Sequence, residues 1–198
     1  MGNPVGSLIA KRDDDPVTTE SKDEIPDNGI IRQLLSKKMC YEVPERRKMD
    51  KKSYLTGLAE GEGCFCISFS LRKKLNTNIE VRPSFSISLN MKDVKLLEQI
   101  RNILNCGAVR RSKKDDCYKY EVRMLNDLNE KVIPHFNTYP LQGAKRSDFE
   151  KFAQVCKMMK ANLHRSKEHL PNLIDLSYSI NQGKRKYKKM DLLRHMTR

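Results

Sequence analysis

The chain has 198 residues, 39 Lys and Arg against 25 Asp and Glu, a net charge of +14, and 38% hydrophobic residues with no Trp. A mean hydropathy of −0.70 and 32% charged residues exclude an integral membrane protein, because a spanning helix needs about 20 consecutive apolar residues. The cationic excess points to a polyanionic partner, nucleic acid before an anionic membrane surface.

The charge is unevenly placed. Residues 1–28 hold three cations and seven acids, a net charge of −4, which leaves +18 for residues 29–198. This acidic, Pro- and Asp-rich head reads as disordered and has neither the apolar run of an export signal nor the pattern of a transit peptide. Residues 29–50 read as a short amphipathic helix and an extended link. A folded core is expected over 51–160, and a C-terminal helix with a basic tail over 161–198. The six cysteines lack a C-x-x-C pair; Cys64 and Cys66 share one face of a strand with no second pair to complete a metal site, so a reducing compartment is the default.

Taken in chain order, Ser53 is a plausible N-cap for a helix through Tyr54, Leu55, Leu58 and Ala59, ended by Gly61 and Gly63. Residues 64–74 alternate, with Phe65, Ile67, Phe69 and Leu71 on one face. After the turn Asn76–Asn78, Val81, Pro83, Phe85, Ile87 and Leu89 alternate again. Asp93 caps a helix carrying Val94, Leu96, Leu97, Ile100 and Leu104. Gly107 opens a strand to Ser112, Lys113–Asp116 form a hairpin turn, and Tyr118, Tyr120, Val122 and Met124 alternate in the fourth strand. A helix follows through Leu128, Val132, Ile133 and Phe136, then another over Ser147–Lys160. Beyond it a helical pattern breaks at Pro171, resumes over Leu173–Ile180, and ends in the basic run Gly183–Lys189, expected to be mobile. The order predicts an α+β fold, with helices on one face of a four-stranded antiparallel sheet.

The other sheet face carries Ser68, Ser70, Arg72, Lys74, Arg82, Ser84, Ser86, Ser88, Asn90, Arg110, Ser112, Lys119 and Arg123. An ordinary solvated face is the bland reading. The cations and small hydroxyls also suit strands lying in a major groove, with cations for phosphates and Arg, Ser and Asn for base edges. The stretch Leu55-Thr-Gly57-Leu58-Ala-Glu60-Gly61-Glu62-Gly63 is the more specific signal. Gly57 and Gly61 lie on one helix face, and each costs about 0.8–1 kcal/mol relative to Ala, which suits close approach of another helix. Glu60 and Glu62 sit at the C-terminal end, where the helix dipole disfavours carboxylates and a divalent cation would reverse that cost.

Leu55–Gly63 resembles the LAGLIDADG motif of homing endonucleases. Phe85-Ser-Ile-Ser with Lys92-Asp93 and Leu96-Leu97-x-x-Ile100, Cys106-Gly107-Ala-Val-Arg110, Lys131-Val-Ile-Pro-x-Phe136 and Tyr139-Pro-Leu-x-Gly-x-Lys145 are similar to later family segments, so the likeness covers about 51–160. One motif copy places it with the single-motif, homodimeric group. The resemblance implies an αββαββα core whose sheet is a DNA-binding saddle. It also implies site-specific hydrolysis of both strands of duplex DNA with Mg²⁺. Glu62 would be the catalytic metal ligand, the Gly61 carbonyl a secondary ligand, and Lys145 a second catalytic residue. Leu55, Gly57, Leu58, Glu60 and Gly61 would form the dimer seam. Where many relatives carry a polar residue, often glutamine, this chain has Leu89, with Asn90 and Lys92 nearby. The family likeness further implies an intron-borne gene in a mitochondrion, chloroplast or bacterial cytoplasm, and no secretion. Group I intron RNA is a further partner it suggests. The alternatives are an intron RNA maturase or a non-catalytic DNA-binding protein on the same fold.

Overall fold

The computed structural model describes residues 49–112, 116–181, 183 and 185–196. The acidic head, the link up to residue 48 and most of the 113–116 turn lie outside the described residues. The elements are helix α1 (Lys51–Glu62), strands β1 (Gly63–Leu71) and β2 (Ile79–Asn90), helix α2 (Val94–Leu104), strands β3 (Ala108–Arg111) and β4 (Cys117–Val122), and helices α3 (Leu125–Asp127), α4 (Ile133–Thr138), α5 (Lys145–Lys160), α6 (Leu170–Tyr178) and α7 (Lys189–Met196). A π-turn over Leu128–Val132 joins α3 to α4 directly before Pro134. Proline has no N–H and cannot continue an α-helical ladder from within, so the wider turn falls where the ladder is already interrupted.

The four strands form one antiparallel sheet in the order β1-β2-β4-β3. Phe65 pairs with Phe85, and Phe85 with Val122, so period-two alternation puts one row of apolar side chains on a single face. Helices cover that face. Phe65 stacks on Phe85 at 5.0 Å between ring centroids and meets Phe136, Phe149 and Phe152 at 5.3–5.4 Å. β2 contains Pro83, opposite Ile67. Pairing of β2 with β4 begins only at Phe85, so the missing N–H falls where β2 has a single neighbour, which is where a strand tolerates proline.

Several sequence expectations are corrected. Asp50, not Ser53, caps α1: its carboxylate accepts from the N–H groups of Lys52 and Ser53 and from the Ser53 hydroxyl. Gly61 lies inside the helix, and Gly63 ends it with its N–H on the Ala59 carbonyl. A Cβ on Gly63 would meet that carbonyl oxygen at 2.5 Å, so the tight exit into β1 requires glycine. Asp93 makes no side-chain cap; Asn90 instead accepts from the Lys92 N–H. Gly107 adopts φ +74°, the left-handed region, beside Tyr120 and Glu121. Met124 lies past β4 and is 68% exposed. Pro171 starts α6, since a helix's first turn needs no donor there.

The described residues of the tail expected to be mobile are packed. Arg185 donates to the carbonyls of Ile67, Ser177 and Ile180 and stacks on the Tyr178 ring at 4.8 Å. Tyr178 Oη donates to the Tyr187 carbonyl at 2.7 Å. Leu192 and Met196 of α7 are buried.

Candidate nucleic-acid interface and active site

The open sheet face is built from the even-numbered residues of β1 and β2, with Cys117, Lys119 and Glu121 of β4 and Ala108 and Arg110 of β3. Cross-strand pairs are Cys64–Ser86, Cys66–Ser84, Ser68–Arg82, Ser70–Glu80, Ser88–Lys119 and Arg110–Lys119. Arg82, Ser68, Ser88, Asn90 and Arg110 are exposed, Ser70, Ser84 and Lys119 are half-buried, and Ser86 is screened at 5% exposure. Arg72, Lys74, Ser112 and Arg123 lie just beyond strand ends, so they border the face instead of lining it.

Two carboxylates that the sequence places on this face, but does not single out as site residues, lie inside the cationic field. Glu80 bridges Arg82 at 2.7 Å and Arg72 at 2.9 Å. The hydrogen bond from Arg82, helped by the charge of Arg72, holds the Glu80 carboxyl below its ordinary range. Glu121, whose side chain is only 11% exposed, pairs with Arg123 at 2.9 Å and Lys119 at 3.2 Å. The alternation in each strand was the signal available, because it puts both acids in the rows of cations they orient.

α1 crosses the helix-covered side and ends where β1 begins. Its outward stripe is Tyr54, Gly57 and Gly61, all exposed, with Leu58 half-buried beside them, at spacings of three and four. A Cβ on Gly57 or Gly61 would meet nothing within 4 Å. No contact inside the described chain therefore explains either glycine, and the expense in helix propensity is left for something outside it. Leu55 is corrected from the expected seam: it is fully buried in the chain's own core. Glu60 also turns inward, where one carboxylate oxygen accepts from the N–H groups of Gln142 and Gly143. That anchors the loop leading into α5.

The C-terminal end of α1 is completed from a distance. α1 has no basic residue in its last turn. Lys145 supplies one: its Nζ donates to the Ala59 carbonyl at 3.0 Å and the Gly61 carbonyl at 3.2 Å. A lysine at the first position of α5 is unfavourable for that helix's own dipole, so its placement answers to α1 instead. Glu62 is exposed beside this ammonium-capped end. Leu89 has its side chain on the helix-covered side, while Asn90 is exposed on the open face with its oxygen engaged in the turn.

Behind α1 lies a network that the sequence did not announce. Thr56 Oγ1 donates to the Tyr139 carbonyl at 3.0 Å and lies 3.3 Å from His135 Nε2. A hydroxyl has one proton, so with it on Tyr139 the imidazole proton belongs on Nε2. Burial, helped by the charge of Lys52, pushes His135 down to about 4.

Among the described residues no three His, Cys, Asp or Glu side chains gather as a metal site. Among the described residues, this end of α1 offers the Glu62 carboxylate and the Gly61 carbonyl. Both are hard oxygen donors of the kind Mg²⁺ accepts, so the donor chemistry fits, and further ligands have to come from outside the described residues. No described helix is long and apolar enough to cross a membrane.

The sequence model for LAGLIDADG endonucleases matches residues 55–156. A probable intron-encoded endonuclease 2 of Neurospora crassa is 32% identical over 134 residues, covering 66% of this chain and 29% of that protein. The chain therefore spans less than a third of that relative's length. Among solved structures, the homing endonuclease I-TnaI is 31% identical with a TM-score of 0.67, covering 75% of this chain and 98% of that one. The archaeal intron-encoded homing endonuclease I-Vdi141I, solved in complex with DNA, is 26% identical with a TM-score of 0.69, covering 74% and 94%.

Proposed function

Because the chain belongs to the LAGLIDADG endonuclease family, we propose that it is a homing endonuclease that cuts both strands of a long, roughly pseudopalindromic DNA site as a homodimer with Mg²⁺. The observation that carries this reading is the end of α1. There an exposed Glu62 and a fixed Lys145 ammonium sit at the root of β1, beside a glycine stripe that none of the described residues covers.

Two copies packed along Tyr54, Gly57, Leu58 and Gly61 bring two Glu62 carboxylates and two Gly61 carbonyls toward one axis and lay two sheets side by side. Glu62 and Gly61 would hold Mg²⁺, which would acidify a water molecule and neutralise charge on the scissile phosphate. Lys145 is held by two carbonyls, so its charge is in place before substrate arrives, as electrostatic stabilisation of a developing oxyanion requires. Arg82, Arg110 and Lys119 are placed for phosphates and guanine edges, and Ser68, Ser84, Ser88 and Asn90 for adaptable polar contacts. Glu80 and Glu121 fix the cations beside them, which limits the rotamer freedom lost on binding. The relatives' intron-encoded character supports an intron-borne gene and organellar origin.

The test is Glu62→Gln against a randomised plasmid library with Mg²⁺. Cleavage should vanish while duplex binding persists. A wild-type protein that never cuts, yet stimulates splicing of a group I intron RNA, would establish the maturase alternative.

A further inference from the structure

Among the described residues β1 is an edge strand, with β2 on one side only. Its free edge is closed by the C-terminal strap, not by another strand: Asn181 Nδ2 donates to the Phe65 carbonyl and Arg185 to the Ile67 carbonyl at 2.9 Å. Alternate carbonyls of the edge are thereby satisfied by side chains, one way of blunting an exposed strand. Between strap and strand runs a groove of about 380 Å³. Its strand side includes Cys66, Ser68 and Ser70, all from the open face of the sheet, and its strap side includes Lys186 and Tyr187. The groove is therefore continuous with the saddle and sits at its outer rim.

The strap side is cationic. Lys186 is exposed, forms no ion pair among the described residues, and lies 5.1 Å from the centroid of the Tyr187 ring. Arg185 is spent on three carbonyls and the Tyr178 ring, so it positions the strap while Lys186 supplies the available charge. The strap also lies beyond residues 55–156, the segment matched to the family.

We propose that this groove is a phosphate-backbone subsite, in which Lys186 and the Ser70 hydroxyl hold the duplex strand that leaves the saddle over the β1 edge, the Ser68 hydroxyl being spent on the Arg82 carbonyl. The subsite rests on the DNA reading above and extends its footprint past the sheet. The alternative of strand addition at this edge is disfavoured, because Asn181 and Arg185 already occupy carbonyls that an added strand would need.

Phosphate contacts are independent of sequence, so a random-sequence duplex suffices as the probe. Each phosphate contact contributes about 0.9 to the slope of log Kobs against log salt concentration. Full-length Lys186→Ala should bind several-fold more weakly in dilute KCl, with a slope about 0.9 shallower, while its melting temperature stays that of wild type. Lys157→Ala/Lys160→Ala, which removes two exposed charges from α5, should leave the slope unchanged. An unaltered slope in Lys186→Ala overturns the subsite, and so does an equal loss in the α5 variant, which would reduce the effect to net charge. A wild-type protein without affinity for duplex at low salt overturns the DNA reading itself and the subsite with it.

Discussion

The Nζ of Lys145, at the start of α5, donates to the carbonyl of Gly61 at the end of α1. The two residues are 84 positions apart, yet one completes the other's helix. The same carbonyl is the one proposed above to face Mg²⁺.

Lys145→Met keeps the length of the side chain and removes its charge. The Ala59 and Gly61 carbonyls then lose a charge-assisted partner, at a cost of about 1–2 kcal/mol for a half-buried site. The expected outcome is a lower melting temperature together with a steep loss of cleavage. Lys145→Arg should recover more of the stability than of the activity. An unchanged melting temperature for Lys145→Met would remove the helix-end role.

Gly57 separates the chain from its assembly. With open space around its Cβ position, Gly57→Ala should stabilise the isolated protomer by about 0.8–1 kcal/mol. Gly57→Leu should fold equally well but dissociate the dimer and abolish double-strand cleavage. Sedimentation equilibrium reads the first effect directly, and a dimeric, active Gly57→Leu protein would defeat the proposed seam.

His135 should make stability depend on pH. Folding keeps the imidazole neutral down to about 4, whereas an unfolded chain protonates it near 6.5. The unfolded state therefore binds the extra proton between these values. Stability is full above about pH 6.5 and falls as the pH drops toward 4, by on the order of 2 kcal/mol. His164, also pushed down by burial, adds with the same sign. His135→Leu should flatten, without abolishing, the fall in melting temperature between pH 7 and 4.5; a curve as steep as wild type would show that His135 is not the group responsible.

The order of elements and the apolar face of the sheet were readable because each rests on local periodicity. Phe65, Ile67 and Phe69 could only face one way once β1 was a strand. Gly57, Gly61 and Glu62 stood out because each is costly where it stands. Partnerships across distance were not readable in the same way. Nothing near Glu60 in sequence announces Gln142 and Gly143, and nothing near Lys145 announces the Ala59 and Gly61 carbonyls. Ser53 was mistaken for the cap because Asp50 and Ser53 have equally good capping chemistry, and only the helix's true first turn selects between them. A run of lysines and arginines has the composition of a solvated segment, but Arg185 is spent on backbone carbonyls, Lys189 pairs with Asp175 at 2.7 Å, and the Tyr187 carbonyl accepts from Tyr178, contacts that no local pattern announces.

Pro83 marks where the sheet narrows from four strands to a two-stranded ribbon. Beyond it, Phe69 lies against Tyr178 at 6.0 Å between ring centroids, and Asn78 Nδ2 donates to the carbonyl of His195 at 3.2 Å. The ribbon thus rests on residues that follow the segment matched to the family. A piece trimmed to residues 55–156 would keep the glutamate and the glycine stripe while losing the floor beneath the outer half of its own reading surface. Retargeting by grafting that ribbon onto another relative would have to carry its supporting helices along.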